Sequence, residues 1–309
     1  MRPPPCGGGR GADGGSGYDV FLGENRCGFR PRHATLAYGD PRMWAWNIRH
    51  MGIFDLPAFI HPILALTGAP KLALVAHSQG TTQAFVALAK QQRPELGTRI
   101  SVFCALAPAV YAGPLIDKFY FKIMRVLSPA GFRAAFGVHA FIPFMMQMHA
   151  LVPARLYGAL GYRVFWFLFG WSDTRWDRGL RDRFFRFAPV YVSAETMRWW
   201  LGRDCFARHK CILSTRVGSE DDGGCWYDGR FPRLAMWVAG SDELVDGRKL
   251  LGRFAGGGEP AVNVVWEKVI DEYEHLDVIW AVDARKRVFE EVAGVIGRAA
   301  AEEAGAWRT

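Results

Sequence analysis

Short apolar runs alternate along the chain with stretches whose apolar residues recur at helical spacing. The runs have the length of buried strands, and small or polar residues follow each of them. The predicted strands are 71–75, 100–106, 234–240 and 262–266. The predicted helices after the first and last of these strands are 79–92 and 277–295. This order of strands and helices is that of an α/β protein.

The first predicted strand runs through Ala76, His77, Ser78, Gln79 and Gly80 directly into a helix. A serine between small residues on a sharp strand-to-helix turn is the nucleophile elbow of α/β-hydrolases. Ala76 and Gly80 are both small, although glycine is commoner at the first position. The helix N-terminus favours a developing negative charge, so Ser78 is the candidate nucleophile. The bare pattern also arises by chance, and an acid and a histidine must support it.

An acid and a histidine follow Ser78 in the chain order Ser, Asp, His that this fold uses. Asp242 lies just past the third predicted strand, where the acid of such a site is expected, and Asp246 is the second candidate. Either aspartate could instead cap a helix N-terminus. His275 lies in the loop before the last predicted helix, and the alternative is an ordinary surface histidine.

Five segments between about residues 17 and 295 carry a resemblance to a known family. They are 17–26, 51–58, 77–82, 239–242 and 274–280, and they occur in family order. Two of them, with the sequences His-Ser-Gln-Gly-Thr-Thr and His-Leu-Asp-Val-Ile-Trp, are specific to one group. The chain resembles the acid-lipase family of α/β-hydrolases, which contains gastric and lysosomal acid lipases and fungal steryl ester hydrolases. Its middle part matches more loosely and is most similar to the fungal members.

The resemblance implies a serine-hydrolase mechanism with assigned roles. Ser78 is then the nucleophile, His275 the general base and later the acid, and Asp242 the residue that orients His275. The backbone N–H of Gln79 would donate to the oxyanion, and losing such a donor typically costs about 100- to 1000-fold in rate. No cofactor is needed, and the spacing of His and Cys residues indicates no metal site.

The chain departs from the family pattern at its start. Family members have some three strands before the segment that corresponds to 17–26, and a His-Gly motif there supplies the second oxyanion donor. Residues 1–16 are rich in glycine and proline, and we expect them to be disordered. The expectation is an N-terminally truncated chain with a full triad, an incomplete oxyanion hole and a mostly parallel sheet that lacks its first strands. One missing strand would lie between a strand at 18–22 and the strand at 71–75.

The pattern becomes heavily apolar and helical from about 113 to 201, which in this fold indicates a cap or lid over the active site. The helices predicted there are 119–127, 132–136, 138–151 and 158–171. Apolar helices over an ester cleft suit long acyl or sterol substrates, and flexible Met side chains adapt to lipid shapes. The candidate substrate-contacting residues are Phe141, Phe144, Met145 and Met148. Ordinary packing within the cap is the alternative.

Charge and composition narrow the class of partner. The formal net charge is +8, half of the residues are hydrophobic and 14% are aromatic. Since no nucleic-acid motif is present, the excess of basic residues indicates attraction to anionic lipid or a solvated basic face. The stretches 158–171 and 136–152 fall short of the roughly 20 apolar residues of a membrane span. We therefore expect monotopic contact with a membrane or lipid droplet, an intracellular location and no signal peptide.

The pattern divides the chain into five predicted parts. They are a tail at 1–16, a hydrolase core with the elbow at 17–112, the cap at 113–201, a second core part with the acid and the histidine at 202–298, and a tail at 299–309. Cys104 falls within a predicted strand and is expected to be an inert core thiol.

The leading functional hypothesis is a serine carboxylic-ester hydrolase that acts on neutral lipid esters such as triacylglycerols or steryl esters. One alternative is a catalytically impaired, truncated remnant or lipid-surface binding protein. Another is an acyltransferase or thioesterase on the same fold, because the triad by itself does not distinguish water from another acceptor.

Overall fold

A single sheet of four strands occupies the centre of the computed structural model, which describes residues 17–188, 190–213 and 224–306. The strands are β1 (Leu72–His77), β2 (Ile100–Leu106), β3 (Arg233–Ala239) and β4 (Val264–Ile270). They lie in the order β1-β2-β3-β4, and each neighbouring pair is parallel. The predicted tail at 1–16 and residues 307–309 of the predicted C-terminal tail lie outside the described residues.

The two faces of β2 pack into two separate hydrophobic clusters. Phe103 lies in the cluster that contains Phe85, whereas Cys104 lies in the cluster that contains Val292. Because both faces are buried, the strand reads in the sequence as a continuous apolar run. Burial raises the pKa of the Cys104 thiol to about 12, as expected for an inert core thiol.

Helices pack around the sheet, and several of them lie in an insertion between β2 and β3. They are α1 (Ile48–Thr67), α2 (Gln79–Leu88), α3 (Phe119–Val126), α4 (Pro129–Phe136), α5 (Phe144–Leu151), α6 (Ala154–Phe169), α7 (Arg178–Phe185), α8 (Ala194–Leu201), α9 (Phe206–His209), α10 (Gly247–Ala255), α11 (Asp277–Trp280) and α12 (Glu290–Ala306). Helix α1 contains the π-helical turn Met51–Asp55, and the π-helical turn Arg285–Phe289 leads into α12. Helices α3 to α8 lie within residues 113–201, the predicted cap, and are called the cap below.

Most predicted elements are present with shifted ends. Helix α2 ends at Leu88 because Ala89 has an extended backbone. Strand β4 begins later than predicted and continues to Ile270 through polar residues, one of which, Lys268, pairs with Glu291. The single helix predicted at 277–295 is divided, since Ala281 is extended. Helix α12 then runs beyond the predicted boundary at 298.

The strand predicted at 18–22 was wrong. These residues belong to no strand of the described sheet, and Val20 and Leu22 are 50% and 95% exposed. An alternating sequence forms a strand only beside a partner with free N–H and C=O groups, and the Tyr18 hydroxyl instead donates to the Ala293 carbonyl oxygen of α12 (3.4 Å). The described sheet therefore ends at β1, where Val75 is 46% exposed.

Two segments that carry the family resemblance meet beside helix α2. Arg26 donates through Nε to both carboxylate oxygens of the buried Asp55, at 2.8 and 2.9 Å. The neighbouring Asn25 exchanges two amide hydrogen bonds with Gln83 of α2, at 3.0 and 2.7 Å. These contacts attach the N-terminal segment to the helix that follows the elbow.

Among the described residues, one helix has the length and apolar composition of a membrane span, the 20-residue α1. Its residues Ile48, Met51 and Ile60 are at most 3% exposed and pack in the hydrophobic core. A core helix passes the same test of length and composition, so this feature does not by itself indicate a membrane crossing.

Candidate active site

Ser78 occupies the sharp turn between β1 and α2. Its backbone angles are φ 51° and ψ −119°, a positive φ that residues other than glycine rarely adopt. Its N–H still donates to Leu106 of the neighbouring strand (3.1 Å), while its carbonyl oxygen accepts from the N–H groups of Thr81 (2.9 Å) and Thr82 (3.2 Å). The serine thus belongs to the strand and the helix at once, which requires the strained turn.

The space around the turn explains the small residues on either side of the serine. A Cβ atom on Gly80 would lie 3.4 Å from the Cβ atom of Ala76. Larger side chains at these two positions would collide, so the requirement read from the sequence has a direct steric cause.

The two threonines after the elbow have a role that the sequence did not reveal. The Thr81 hydroxyl accepts from the Ala109 N–H (2.9 Å), and the Thr82 hydroxyl donates to the Ala109 carbonyl oxygen (2.7 Å). Both threonines are fully buried. They attach the start of α2 to the loop after β2, where Ala107 also has a positive φ of 44°.

Three residues from distant parts of the chain form one line of hydrogen bonds. The Ser78 hydroxyl lies 2.6 Å from His275 Nε2, and His275 Nδ1 lies 2.6 Å from Asp242 Oδ2. The side chains of His275 and Asp242 are each 2% exposed. With a proton on Nδ1, the imidazole donates to the carboxylate and presents Nε2 as an acceptor to the hydroxyl.

The two candidate acids have different partners. The second oxygen of Asp242 accepts from the N–H groups of Leu244 (2.8 Å) and Val245 (3.2 Å), which fixes the carboxylate while Oδ2 faces the histidine. Asp246 instead accepts from the Lys249 N–H (2.8 Å) and caps α10. The structure therefore places Asp242 against His275 and Asp246 at a helix N-terminus.

His77, the residue before the elbow serine, is hydrogen-bonded to the backbone of the histidine loop. Its Nε2 lies 3.1 Å from the carbonyl oxygen of His275, to which it donates. Loss of hydration on burial, and secondarily the nearby His275, lowers the pKa of His77 to about 3. His77 is therefore neutral near pH 7, and nothing in the sequence pattern indicated this contact.

The cap contacts the other side of the histidine loop. The indole of Trp171 lies nearly parallel to the His275 ring, with 5.7 Å between the centroids and 11° between the planes. Ser172 donates to Glu274 from its backbone N–H (2.6 Å) and its hydroxyl (3.1 Å). The sequence predicted a cap over the site, but it did not show which cap residues reach the histidine.

Comparisons with known proteins find relatives among the sterol esterases and acid lipases. The chain is 38% identical to sterol esterase 2 of Saccharomyces cerevisiae over 88% of its length. It is 28% identical to the lysosomal acid lipase/cholesteryl ester hydrolase of Rattus norvegicus and to the gastric triacylglycerol lipase of Homo sapiens, each over 91% of its length. The chain is a homologue of the acid lipases and sterol esterases. It spans 56% of the sterol esterase and 72% of each lipase, and no family model matches it.

Solved structures of hydrolases also match the chain. A soluble variant of monoglyceride lipase from Saccharomyces cerevisiae covers 89% of the chain, which in turn covers 76% of that structure, at 11% identity and a TM-score of 0.47. A Vigna radiata epoxide hydrolase matches with 16% identity, coverage of 89% and 79%, and a TM-score of 0.40.

Gln79, the candidate oxyanion donor, is the first residue of α2. The N–H groups of the first helical turn have no acceptor within their own helix and are available to an anion. The Gln79 side chain has a separate partner, since its Oε1 accepts from the Trp200 indole N–H (3.2 Å). The contribution of the Gln79 backbone to an oxyanion hole stays a prediction.

The four cap residues considered for substrate contact differ in their surroundings. Phe141 packs against Phe132 and Phe136 within the cap, with ring centroids 6.5 and 5.2 Å apart. Phe144 is 59% exposed, and Met145 and Met148 are partly buried. Phe141 packs within the cap, and substrate contact by Phe141, Phe144, Met145 and Met148 stays a prediction.

Potential metal ligands are dispersed in the part of the chain that the structure describes. No group of three or more His, Cys, Asp or Glu side chains within it is arranged to hold a metal ion.

Proposed function

We propose that the chain is a serine carboxylic-ester hydrolase that acts on neutral lipid esters, such as triacylglycerols or steryl esters. One observation carries the proposal: Ser78, on a strained turn, is hydrogen-bonded to His275, which is hydrogen-bonded to Asp242. The names of the homologues, a sterol esterase, a cholesteryl ester hydrolase and a triacylglycerol lipase, support the class of substrate.

The mechanism follows from the three side chains. His275 Nε2 takes the Ser78 proton as Oγ attacks the ester carbonyl carbon, and Asp242 stabilises the imidazolium that forms. The negative oxygen of the tetrahedral intermediate develops next to the N-terminus of α2, where the Gln79 N–H can donate to it. His275 then protonates the departing alcohol, and it activates the water that releases the fatty acid from Ser78.

We further propose that the cap contacts a membrane or lipid-droplet surface inside the cell. Phe119, Ile123 and Val126 of α3 are 69%, 60% and 76% exposed, and their spacing places them on one side of the helix. Lys118 and Lys122 lie beside them and would be attracted to anionic headgroups. Such a surface would bring the site to insoluble esters.

Labelling with a fluorophosphonate tests the proposed chemistry whatever the natural substrate is, because the probe reacts with an activated serine. We expect the probe to label the 309-residue chain and to leave Ser78→Ala unlabelled, with both proteins equally folded by circular dichroism. Absence of labelling in the folded parent chain would contradict the proposal and favour a protein that binds lipid surfaces without hydrolysing esters.

A substrate panel then defines the reaction. Release of fatty acid from emulsified triolein or cholesteryl oleate, lost in Ser78→Ala, is the expected result. Ser78-dependent labelling with cleavage only of acyl thioesters, or with transfer to an added alcohol in preference to water, would instead identify a thioesterase or an acyltransferase.

A further inference from the structure

One cap side chain lies nearly parallel to the ring of the proposed general base. Trp171 is 7% exposed, and its ring lies nearly parallel to that of His275 at a centroid distance of 5.7 Å. A cation within about 6 Å of an indole centroid and over its face is stabilised by the negative face of the ring. The ring next to Trp171 is the one that becomes positively charged during the proposed reaction.

The position of the indole next to the histidine is fixed by a ring contact and by hydrogen bonds of nearby cap residues. Phe169 stacks on it with a centroid distance of 4.5 Å and an interplanar angle of 19°. The next residue, Ser172, is bonded to Glu274, the neighbour of His275. Four residues later, the Trp176 indole N–H donates to the buried Asp277 (2.6 Å). The cap is therefore attached to the residue directly before the histidine and to the second residue after it.

We propose that Trp171 is a positioning residue for His275, whose ring it orients and whose imidazolium form it stabilises through the face of the indole. The proposal rests on the proposed function, because it assigns a reaction step to His275. It makes the cap part of the catalytic arrangement in addition to a cover for the substrate.

The other groups around the imidazole have separate partners and positions. Asp242 lies at Nδ1 and Ser78 at Nε2, each at 2.6 Å. His77, at the end of β1, donates to the His275 carbonyl oxygen, and its ring is tilted by 47° against the imidazole at a centroid distance of 5.1 Å. The acidic neighbours on the same loop, Glu274 and Asp277, accept from Ser172 and Trp176. Among these neighbours, Trp171 is the one whose ring lies nearly parallel to the imidazole.

The test compares Trp171→Phe and Trp171→Leu with the same two substitutions at Trp44. Trp44 is fully buried, and its indole N–H donates to the Tyr38 carbonyl oxygen (2.8 Å) in a cluster apart from the triad. The readouts are the pH dependence of kcat/KM on a water-soluble short-chain p-nitrophenyl ester and the thermal midpoint of unfolding. A soluble ester keeps surface binding out of the measurement.

The expected result is a shift of the acid limb of the plot of kcat/KM against pH. Because kcat/KM rises as His275 loses its proton, a less stable imidazolium moves the midpoint of this rise to lower pH. We expect a shift of roughly 0.5 to 1.5 pH units in Trp171→Leu, a smaller one in Trp171→Phe, and a lower plateau rate in both. The Trp44 variants should lose stability and keep the parent midpoint.

An unchanged midpoint in folded Trp171→Leu would overturn the proposal, even if the plateau rate fell, because loosening of the loop lowers a rate without changing a titration. If Trp171→Leu does not fold, Trp171→Phe decides by the same criterion.

A second measurement separates this proposal from the proposed function. Nuclear magnetic resonance follows the His275 ring directly, with its signal assigned by its absence in His275→Gln. A parent chain without Ser78-dependent labelling would contradict the proposed function. A lower titration midpoint of the His275 signal in Trp171→Leu would still support the contact, and an equal midpoint would overturn it.

Discussion

His77 donates its Nε2–H to the backbone carbonyl oxygen of His275 across 3.1 Å, so the residue before the elbow serine holds the loop of the triad histidine. The contact requires a proton on Nε2. Burial, and secondarily the nearby His275, lowers the pKa of His77 to about 3, so near pH 7 the donor is the neutral imidazole.

This lowered pKa predicts how acid affects stability. The unfolded chain binds a proton at His77 with a pKa near 6.5, whereas the folded chain does so only near 3. The contribution of His77 to stability is present above about pH 6.5 and is lost as the pH falls toward 3, by up to about 1.4 kcal/mol per pH unit. Urea unfolding of the parent and of His77→Gln, at about pH 7 and about pH 5, measures it. The parent should lose more stability on acidification than the variant, and equal losses would contradict the assignment.

The two candidate acids provide a matched pair of substitutions. Asp242→Asn removes the carboxylate that orients His275, and we expect kcat to fall by about 10⁴-fold with little loss of fold. Asp246→Asn keeps a good helix cap and should leave kcat unchanged. Steady-state hydrolysis of a soluble ester by both variants decides between them. A larger effect at Asp246 would identify it as the acid.

The contact between Trp176 and Asp277 predicts an effect of the cap on rate. Trp176→Phe leaves a buried carboxylate oxygen without its indole donor, which costs about 1–3 kcal/mol of stability. We also expect a lower kcat, because Asp277 lies two residues after His275. Trp44→Phe removes a comparable hydrogen bond elsewhere and should lower stability alone. Equal kcat values for Trp176→Phe and Trp44→Phe would contradict an effect of this hydrogen bond on the rate.

A buried ion pair predicts a large stability effect away from the site. The Glu259 carboxylate accepts from Arg253 Nε (2.9 Å) and from the backbone N–H groups of Trp226 (2.9 Å) and Tyr227 (3.1 Å), and its side chain is fully buried. Glu259→Ala leaves the buried guanidinium without this partner, and we expect a loss of about 3–5 kcal/mol.

An exposed ion pair supplies the control for this experiment. Glu302 is 61% exposed and lies 3.1 Å from Arg233, so Glu302→Ala should cost at most about 1 kcal/mol in the same urea titration. Similar losses in the two variants would contradict the buried-pair argument.

The exposed apolar side of α3 predicts binding to lipid. Replacing Phe119, Ile123 and Val126 together by serine removes side chains whose burial in lipid is worth about 1.5–3 kcal/mol each. We expect the variant to stop floating with triolein emulsions that contain anionic phospholipid. Serine at Leu66 and Val282, which are 72% and 71% exposed outside the cap, should leave flotation unchanged. Equal flotation of both variants would place the lipid contact elsewhere.

The sequence by itself determined the central strands and the elbow. Strand β2 is buried on both faces, which requires a continuous apolar run and made its bounds predictable. The elbow depends on local backbone geometry, a serine at positive φ between two small residues, and such a constraint is visible within five residues. The chain order Ser78, Asp242, His275 is likewise a property of the sequence.

Only the tertiary structure decided which groups meet. The two hydrogen bonds of the triad join residues 197 and 33 positions apart, because the loops after β1, β3 and β4 end at the same edge of a parallel sheet. That convergence placed Asp242 against the histidine and Asp246 on a helix. It also brought His77 and Trp171 to two sides of the His275 loop, and it left 18–22 outside the described sheet. Local pattern cannot report such contacts, since they depend on where separate elements pack.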